Sequence, residues 1–261
     1  MRFSANLSLL FTEVPMLERF ALARRAGFQA VEIQFPYQWP AAQIGQALDD
    51  NGLQLVLFNV AADTLLEGGE GLAAVPGRQQ DFRQAVALAA EYATVLKPVC
   101  INVLPGRCYQ SDAYAEYWAT LRDNLRYACE LFAAQGVTTV FEAINSLDMP
   151  GFIIDSHASM LALWEAVADP ALRMQYDIYH MARMQQDMPA FWQQHLAKIA
   201  HIQFADCPGR HQPGTGCLDL AGLFRQLQAL GYQGYLGAEY KPSATSADSL
   251  AWLADFASRS Y

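Results

Sequence analysis

The chain has 261 residues, 53% hydrophobic and only 16% charged, which suits a globular fold with a large core and excludes a disordered chain or a coiled coil. Its formal net charge of -9 argues against a general nucleic-acid binder, which needs a basic face, but leaves room for a small anion held by a few local cations. Five cysteines with no C-x-x-C pair read as reduced thiols, and no apolar run reaches the roughly 18 residues of a membrane span, so a soluble cytoplasmic protein is expected.

The N-terminal MRFSANLSLLF has one Arg and a short apolar run, unlike a signal peptide, and its residues 2–8 read as a first strand. A helix over 15–26 closes at Gly27. Residues 30–35 form a second strand, 41–50 a helix closed by Asn51-Gly52, and 53–59 a third strand. The Gly-rich stretch 61–77 is too long for a plain connector and is expected to be a lid. A helix over 78–96 leads to a strand at 99–104, and a helix over 112–134 to a strand at 137–142. Ser156 is placed to N-cap a helix over 156–168. Strands at 173–177, 199–205 and 235–240 follow, separated by helical residues between 180 and 198 and a helix over 218–230. A last helix spans 247–257. Strands alternating with helices imply a parallel sheet, and eight such units in about 250 residues favour one α/β domain, a closed (β/α)8 barrel over residues 1–261. No G-x-G-x-x-G follows a strand, so a dinucleotide-binding fold lacks its fingerprint.

The polar residues of the late strands carry the chemistry. Side chains alternate between faces along a strand, so Gln175 shares a face with Asp177, His201 with Gln203, and Gly237 with Glu239 and Lys241. With their apolar neighbours against the helices, Glu142, Asp177, Gln203 and Glu239 point into the barrel near its C-terminal mouth, where active sites of this fold sit. Three carboxylates converging there repel one another unless a cation is bound. With one amide oxygen they make an all-oxygen ligand set, suited to one Mg²⁺ or Mn²⁺ rather than zinc.

The segments RFSANLSLLF, VEIQFPY, VPGR, EAINSLDMPGF, QYDIYHMARM, HIQFADCPGRHQPGTG and GAEYKP, in this order, resemble the hydroxypyruvate isomerase family of the xylose-isomerase-like barrel superfamily. The 2-oxo-tetronate isomerases are similar but match less well around Asn145, Pro150, Gly151 and residues 179–184. The resemblance implies metal ligands at Glu142, Asp177, Gln203 and Glu239, and an acid/base pair at Glu142 and Glu239. It also implies an isomerase that interconverts hydroxypyruvate and tartronate semialdehyde. The route would be proton transfer through an enediolate and not a hydride shift. Cys217 and the loop 104–109 depart from the family pattern, which bears on substrate preference.

His180, just after Asp177, and the cations Arg210 and Lys241 are the expected partners of a small anionic hydroxy-keto acid. His201 and Glu32 read as inward groups supporting the site, His157 and His195 as helix-surface residues, and Phe20, Phe28 and Phe35 as core. A ketose epimerase or 2-oxo-tetronate isomerase would share this machinery. A multi-metal phosphodiesterase or endonuclease is disfavoured by the five histidines and negative charge. A non-catalytic sugar-acid binder is disfavoured because both glutamates are present. Assembly into a homo-oligomer is left open.

Overall fold

The computed structural model describes residues 1–257; the last residues of the expected domain, 258–261, lie outside the described residues. Eight parallel strands close into a barrel in chain order. They are β1 (Arg2–Asn6), β2 (Ala30–Ile33), β3 (Gln54–Asn59), β4 (Cys100–Asn102), β5 (Thr138–Glu142), β6 (Leu172–Asp177), β7 (Ile199–Phe204) and β8 (Tyr235–Ala238). The connecting helices are α1 (Met16–Arg25), α2 (Ala41–Asn51), α3 (Gln79–Leu96), α4 (Tyr114–Ala133) and α5 (His157–Val167) in the first half. In the second half they are α6 (Ile178–Arg183), α7 (Met188–His195), α8 (Leu220–Ala229) and α9 (Ala251–Ala257). The expected (β/α)8 architecture is therefore present.

Local chemistry sets several element ends. The Ser8 amide donates to Asn6 Oδ1, and the Leu9 and Leu10 amides to the Asn6 carbonyl, so β1 stops at Asn6 and not at Ser8. Ser156 and Ser159 form a capping box at the start of α5, as the position of Ser156 suggested. The helical stretch after His180 divides into α6 and α7. Gln185 sits at φ 53°, and Asp187 caps a new start by accepting from the Ala190 amide.

The main core lies between barrel and helices and includes Phe20, Phe28, Phe141, Trp192 and Phe204. Inside the barrel, Ala30, Leu57, Cys100 and Val140 belong to a separate small cluster. Phe35 departs from expectation: it is only half-buried and packs against a third cluster of Ala62, Leu65, Leu104, Ile144 and Phe152 at the mouth. The loop after β3 is packed down rather than hanging free as a lid. It contains a 3-10 turn over Asp63–Glu67, buries Leu65, Leu72, Ala73 and Ala74, and is tied to the loop after β4 and to α4. The ties are Arg107 N–H to the Glu70 carbonyl, Tyr109 hydroxyl to the Gly68 carbonyl and Asn124 Nδ2 to the Ala73 carbonyl. Its tip, Leu66, is exposed. His157, expected on a helix surface, is half-buried: its ring stacks 4.1 Å from Phe191 and its Nε2 lies 2.8 Å from the Tyr176 hydroxyl. His195 is half-buried too, against the same Phe191.

Candidate active site

Strand register brings the late-strand polar residues to one level. Glu142 pairs with Gln175, Asp177 with Gln203, and Gln203 with Gly237. Residues in register share a face, so Glu142, Gln175, Asp177 and Gln203 all project into the barrel. Glu239 lies one residue past β8, but its amide donates to the Phe204 carbonyl and prolongs the ladder. All four expected ligand residues are at most 5% exposed. They line, or lie beside, a mouth cavity of about 90 Å³.

Asp177 has two jobs, one per oxygen. Oδ1 caps α6, accepting from the Tyr179 amide at 2.7 Å and the His180 amide at 3.3 Å. Oδ2 is buried and has no hydrogen-bond partner. An unpaired carboxylate oxygen in a dry site is costly unless a cation or donor meets it. Glu142 receives Asn102 Nδ2 at 3.2 Å. Burial, then the nearby Glu239 and Asp177 charges, push its carboxyl well above the usual range. Glu239 accepts from Asn6 Nδ2 and Gln34 Nε2, each at 3.0 Å, and from Arg210 at 2.7 Å. Burial raises it, against the pull of Arg210, to about 7. Asp177 is raised by burial as well, with Arg210 opposing.

Gln203 is held on both ends of its amide. Nε2 donates to Glu32 Oε2 at 2.8 Å, and Oε1 accepts from Gln175 Nε2 at 2.5 Å. A carboxylate only accepts, so Glu32 dictates which way the amide is turned, and Oε1 keeps a second lone pair. Glu32 is fully buried; Ser4 Oγ donates to it at 2.6 Å and His201 Nε2 lies 2.8 Å away. Burial would raise the Glu32 carboxyl, but His201, Ser4 and Gln203 together hold it below the usual range. Glu32 and His201 thus sit where the sequence placed them, beneath the site.

His180 is brought against the acids, Nε2 being 3.6 Å from Asp177 Oδ2 and 3.9 Å from Glu142 Oε1. Glu142, Asp177 and His180 offer ligand atoms within 4.8 Å of one another, the grouping among the described residues with metal-holding geometry. The hydrogen bonds nevertheless select a different role for the imidazole. Asn145 Oδ1 accepts from the Asp148 amide, which turns Asn145 Nδ2 towards His180 Nδ1 at 2.7 Å. Nδ1 must then accept, and Nε2 carries the hydrogen. Burial, then Arg210, hold His180 well below its ordinary pKa, so it is neutral. In that tautomer the neutral ring turns an N–H towards the acids, whereas the other tautomer would offer them the Nε2 lone pair as a ligand.

Arg210 comes from the loop after β7. Asp206 organises that loop by accepting from the amides of Cys207, Gly214, Gly216 and Leu218. A Cβ on Gly216 would run into the Cys207 carbonyl, so only glycine fits there. Arg210 itself adopts φ 56°, in the left-handed region, a strained conformation of the kind found at functional sites. Its guanidinium lies 2.7 Å from Glu239, 3.8 Å from Asp177 and 5.2 Å over the Tyr179 ring. Lys241, expected to face the same mouth, is exposed and is not among the cavity-lining residues. Strand pairing ends at Ala238, and the Lys241 amide instead donates to the Arg210 carbonyl, so the alternation that placed Glu239 does not reach Lys241.

The residues present fit a divalent cation: three buried acids have one guanidinium among them, Asp177 Oδ2 has no hydrogen bond and meets that guanidinium only at 3.8 Å, and an oriented amide oxygen lies alongside. The oxygen donors suit a hard ion such as Mg²⁺ or Mn²⁺. Sequence reasoning missed Asn145, Asn6 and Gln34, which orient His180 and Glu239. Asn6 was visible as a polar residue at the end of the first strand, but its partner Glu239 is 233 positions away.

The profile of the xylose isomerase-like TIM barrel family matches residues 20–256. A 2-oxo-tetronate isomerase of Cupriavidus necator is 40% identical over 99% of both chains. The hydroxypyruvate isomerase of Escherichia coli is 39% identical over 97% of this chain and 98% of its own. The two identities differ too little to separate those relatives. The crystal structure of a protein described as an AP endonuclease, family 2, from Brucella melitensis superposes with a TM-score of 0.94 at 37% identity, over 98% of each chain.

Proposed function

The chain belongs to the xylose isomerase-like TIM barrel family and is an isomerase; within that family we propose that it interconverts a small 2-oxo hydroxy acid with its carbonyl-shifted isomer at one divalent metal ion. Hydroxypyruvate and its four-carbon homologue fall in that class. The observation that carries this reading is the convergence of Glu142, Asp177 and Glu239, with Asp177 Oδ2 left without a hydrogen bond. Glu142, Asp177, Glu239 and Gln203 Oε1 would hold the ion. A divalent ion held there would supply electrophilic stabilisation to the substrate's oxygens.

The protein's own groups supply the proton movements. One of Glu142 and Glu239 takes the proton from C3, and the C–H electrons form the C2–C3 double bond of the enediolate. The other carboxyl returns a proton to C2, while the hydroxyl proton passes from the C3 oxygen to the C2 oxygen. His180 Nε2–H donates to the oxygen on which charge develops. Arg210 receives the substrate carboxylate. The net charge of -9 and the one histidine that groups with the acids among the described residues speak against phosphodiester cleavage.

The test is a substrate panel: purified protein with Mg²⁺ or Mn²⁺, offered hydroxypyruvate, a 2-oxo-tetronate and free ketoses at equal concentration. Turnover of a 2-oxo acid above the ketoses is the expected result. Epimerisation of ketoses with no turnover of either acid would overturn the proposal.

A further inference from the structure

Five side-chain amides line the mouth cavity: Asn6, Gln34, Asn59, Gln175 and Gln203. Four are engaged with other side chains, Asn6 and Gln34 with Glu239, and Gln175 with Gln203, which also holds Glu32. Asn59 differs. It is 7% exposed, and among the described residues no group pairs with its side-chain amide, although its backbone carbonyl accepts from the Tyr37 hydroxyl. The same cavity is lined by the apolar Leu57, Leu66, Leu104 and Ile144. An amide that lines a cavity, reaches its open space and has no protein partner is free to meet a ligand's polar atom.

Asn59 ends β3, and Arg210 follows β7, four strands round a closed eight-stranded barrel and hence across the mouth. The acids of β5, β6 and β8 lie between. A 2-oxo acid with its carboxylate on Arg210 and its C2 and C3 oxygens at the acids extends its far end towards β3. In a three-carbon acid that end is C3 itself. In a four-carbon acid it is a C4 hydroxyl, which both donates and accepts, as a primary amide does. A second carboxylate would call for a cation, and none of the cavity-lining residues on that arc is one.

We infer that Asn59 is a specificity-determining residue that receives the terminal hydroxyl of a four-carbon 2-oxo acid, so that this chain distinguishes it from hydroxypyruvate. The inference rests on the isomerase reading above. A site built to hydrogen-bond a hydroxyl disfavours the analogue lacking it, because the site's own polar group then stays unpaired.

The experiment compares kcat/KM for hydroxypyruvate and for a 2-oxo-tetronate in the wild type, Asn59→Leu and Asn59→Ser, with thermal unfolding as the folding control. The wild type is expected to prefer the four-carbon acid. Asn59→Leu should lower its kcat/KM by about tenfold or more while changing the hydroxypyruvate value less than about threefold. Asn59→Ser, which keeps a short donor and acceptor, should recover part of the loss and serves if the leucine variant does not fold. An equal fall on both acids, or no change in their ratio in a folded variant, overturns the assignment of Asn59 and leaves the isomerase reading standing. A folded, metal-loaded wild type that turns over neither acid overturns both.

Discussion

Arg210 Nη2 lies 2.7 Å from Glu239 Oε2, so the cationic side chain that lines the mouth is spent on a member of the acid cluster. The same guanidinium is 3.8 Å from Asp177. It is the group that offsets the mutual repulsion of the acids, and a divalent ion in their midst would take over that task and release the guanidinium to substrate. Arg210→Met should therefore lower kcat/KM about tenfold or more, a loss of about 1.4 kcal/mol of transition-state stabilisation. Affinity for the ion should not fall, because a competing positive charge has been removed. Steady-state kinetics beside calorimetric titration of the ion check this; an unchanged kcat/KM would show an arginine without a part in substrate binding.

Metal-stripped protein should bind one Mg²⁺ or Mn²⁺ per chain, with heat of binding lost in Asp177→Asn and in Glu142→Gln. Asp177→Asn keeps an oxygen to cap α6, so the fold should survive while the free carboxylate oxygen is replaced. Activity should vanish on chelation and return when the ion is restored. Undiminished binding in an Asp177→Ala, Glu239→Ala double variant would mean that the ion sits elsewhere.

The half-buried His157 ring, stacked on Phe191, makes a pH prediction clear of the site. Burial holds its pKa down from 6.5 to about 4. Between those values the unfolded chain binds the proton and the folded chain does not, so stability rises with pH there. The contribution is fully present above pH 6.5 and is lost as pH falls towards 4. The stability advantage of wild type over His157→Gln, measured by denaturant unfolding at several pH values, should shrink across that window. A constant difference would mean that the ring stays solvated enough to titrate normally.

Proton transfer predicts exchange with solvent. A carboxyl that holds the abstracted proton can trade it with water, so the reaction in D₂O should place deuterium on C2 of the product and, on reversal, on C3 of recovered substrate. Mass spectrometry or NMR reads this directly. Glu142→Gln or Glu239→Gln should stop turnover, with bound metal quantified in each variant to separate loss of a base from loss of a ligand. Many turnovers without any deuterium would favour a hydride shift.

The barrel and the inward set Glu142, Asp177, Gln203 and Glu239 were legible in the sequence alone, together with Glu32 and His201 beneath them. Strand alternation has a period of two and parallel register links partners residue by residue, so facing direction follows from local pattern. Where that pattern stops, so does the reading. Lys241 lies two residues past Glu239 yet leaves the site, because pairing ends at Ala238 and a loop hydrogen bond takes over. Phe35 looked like core by its spacing and became part of the mouth, because β2 ends at Ile33. Only the tertiary structure decided which ring nitrogen His180 turns towards the acids and which towards Asn145, whose amide is turned by the Asp148 backbone. Only it showed Arg210 folded onto Glu239 and the Asn59 side-chain amide without a partner among the described residues, since both are facts about contacts between segments far apart in the chain. Loops have no period, and the place of a loop side chain, or the absence of a partner for a strand-end one, is set by every element that packs around it.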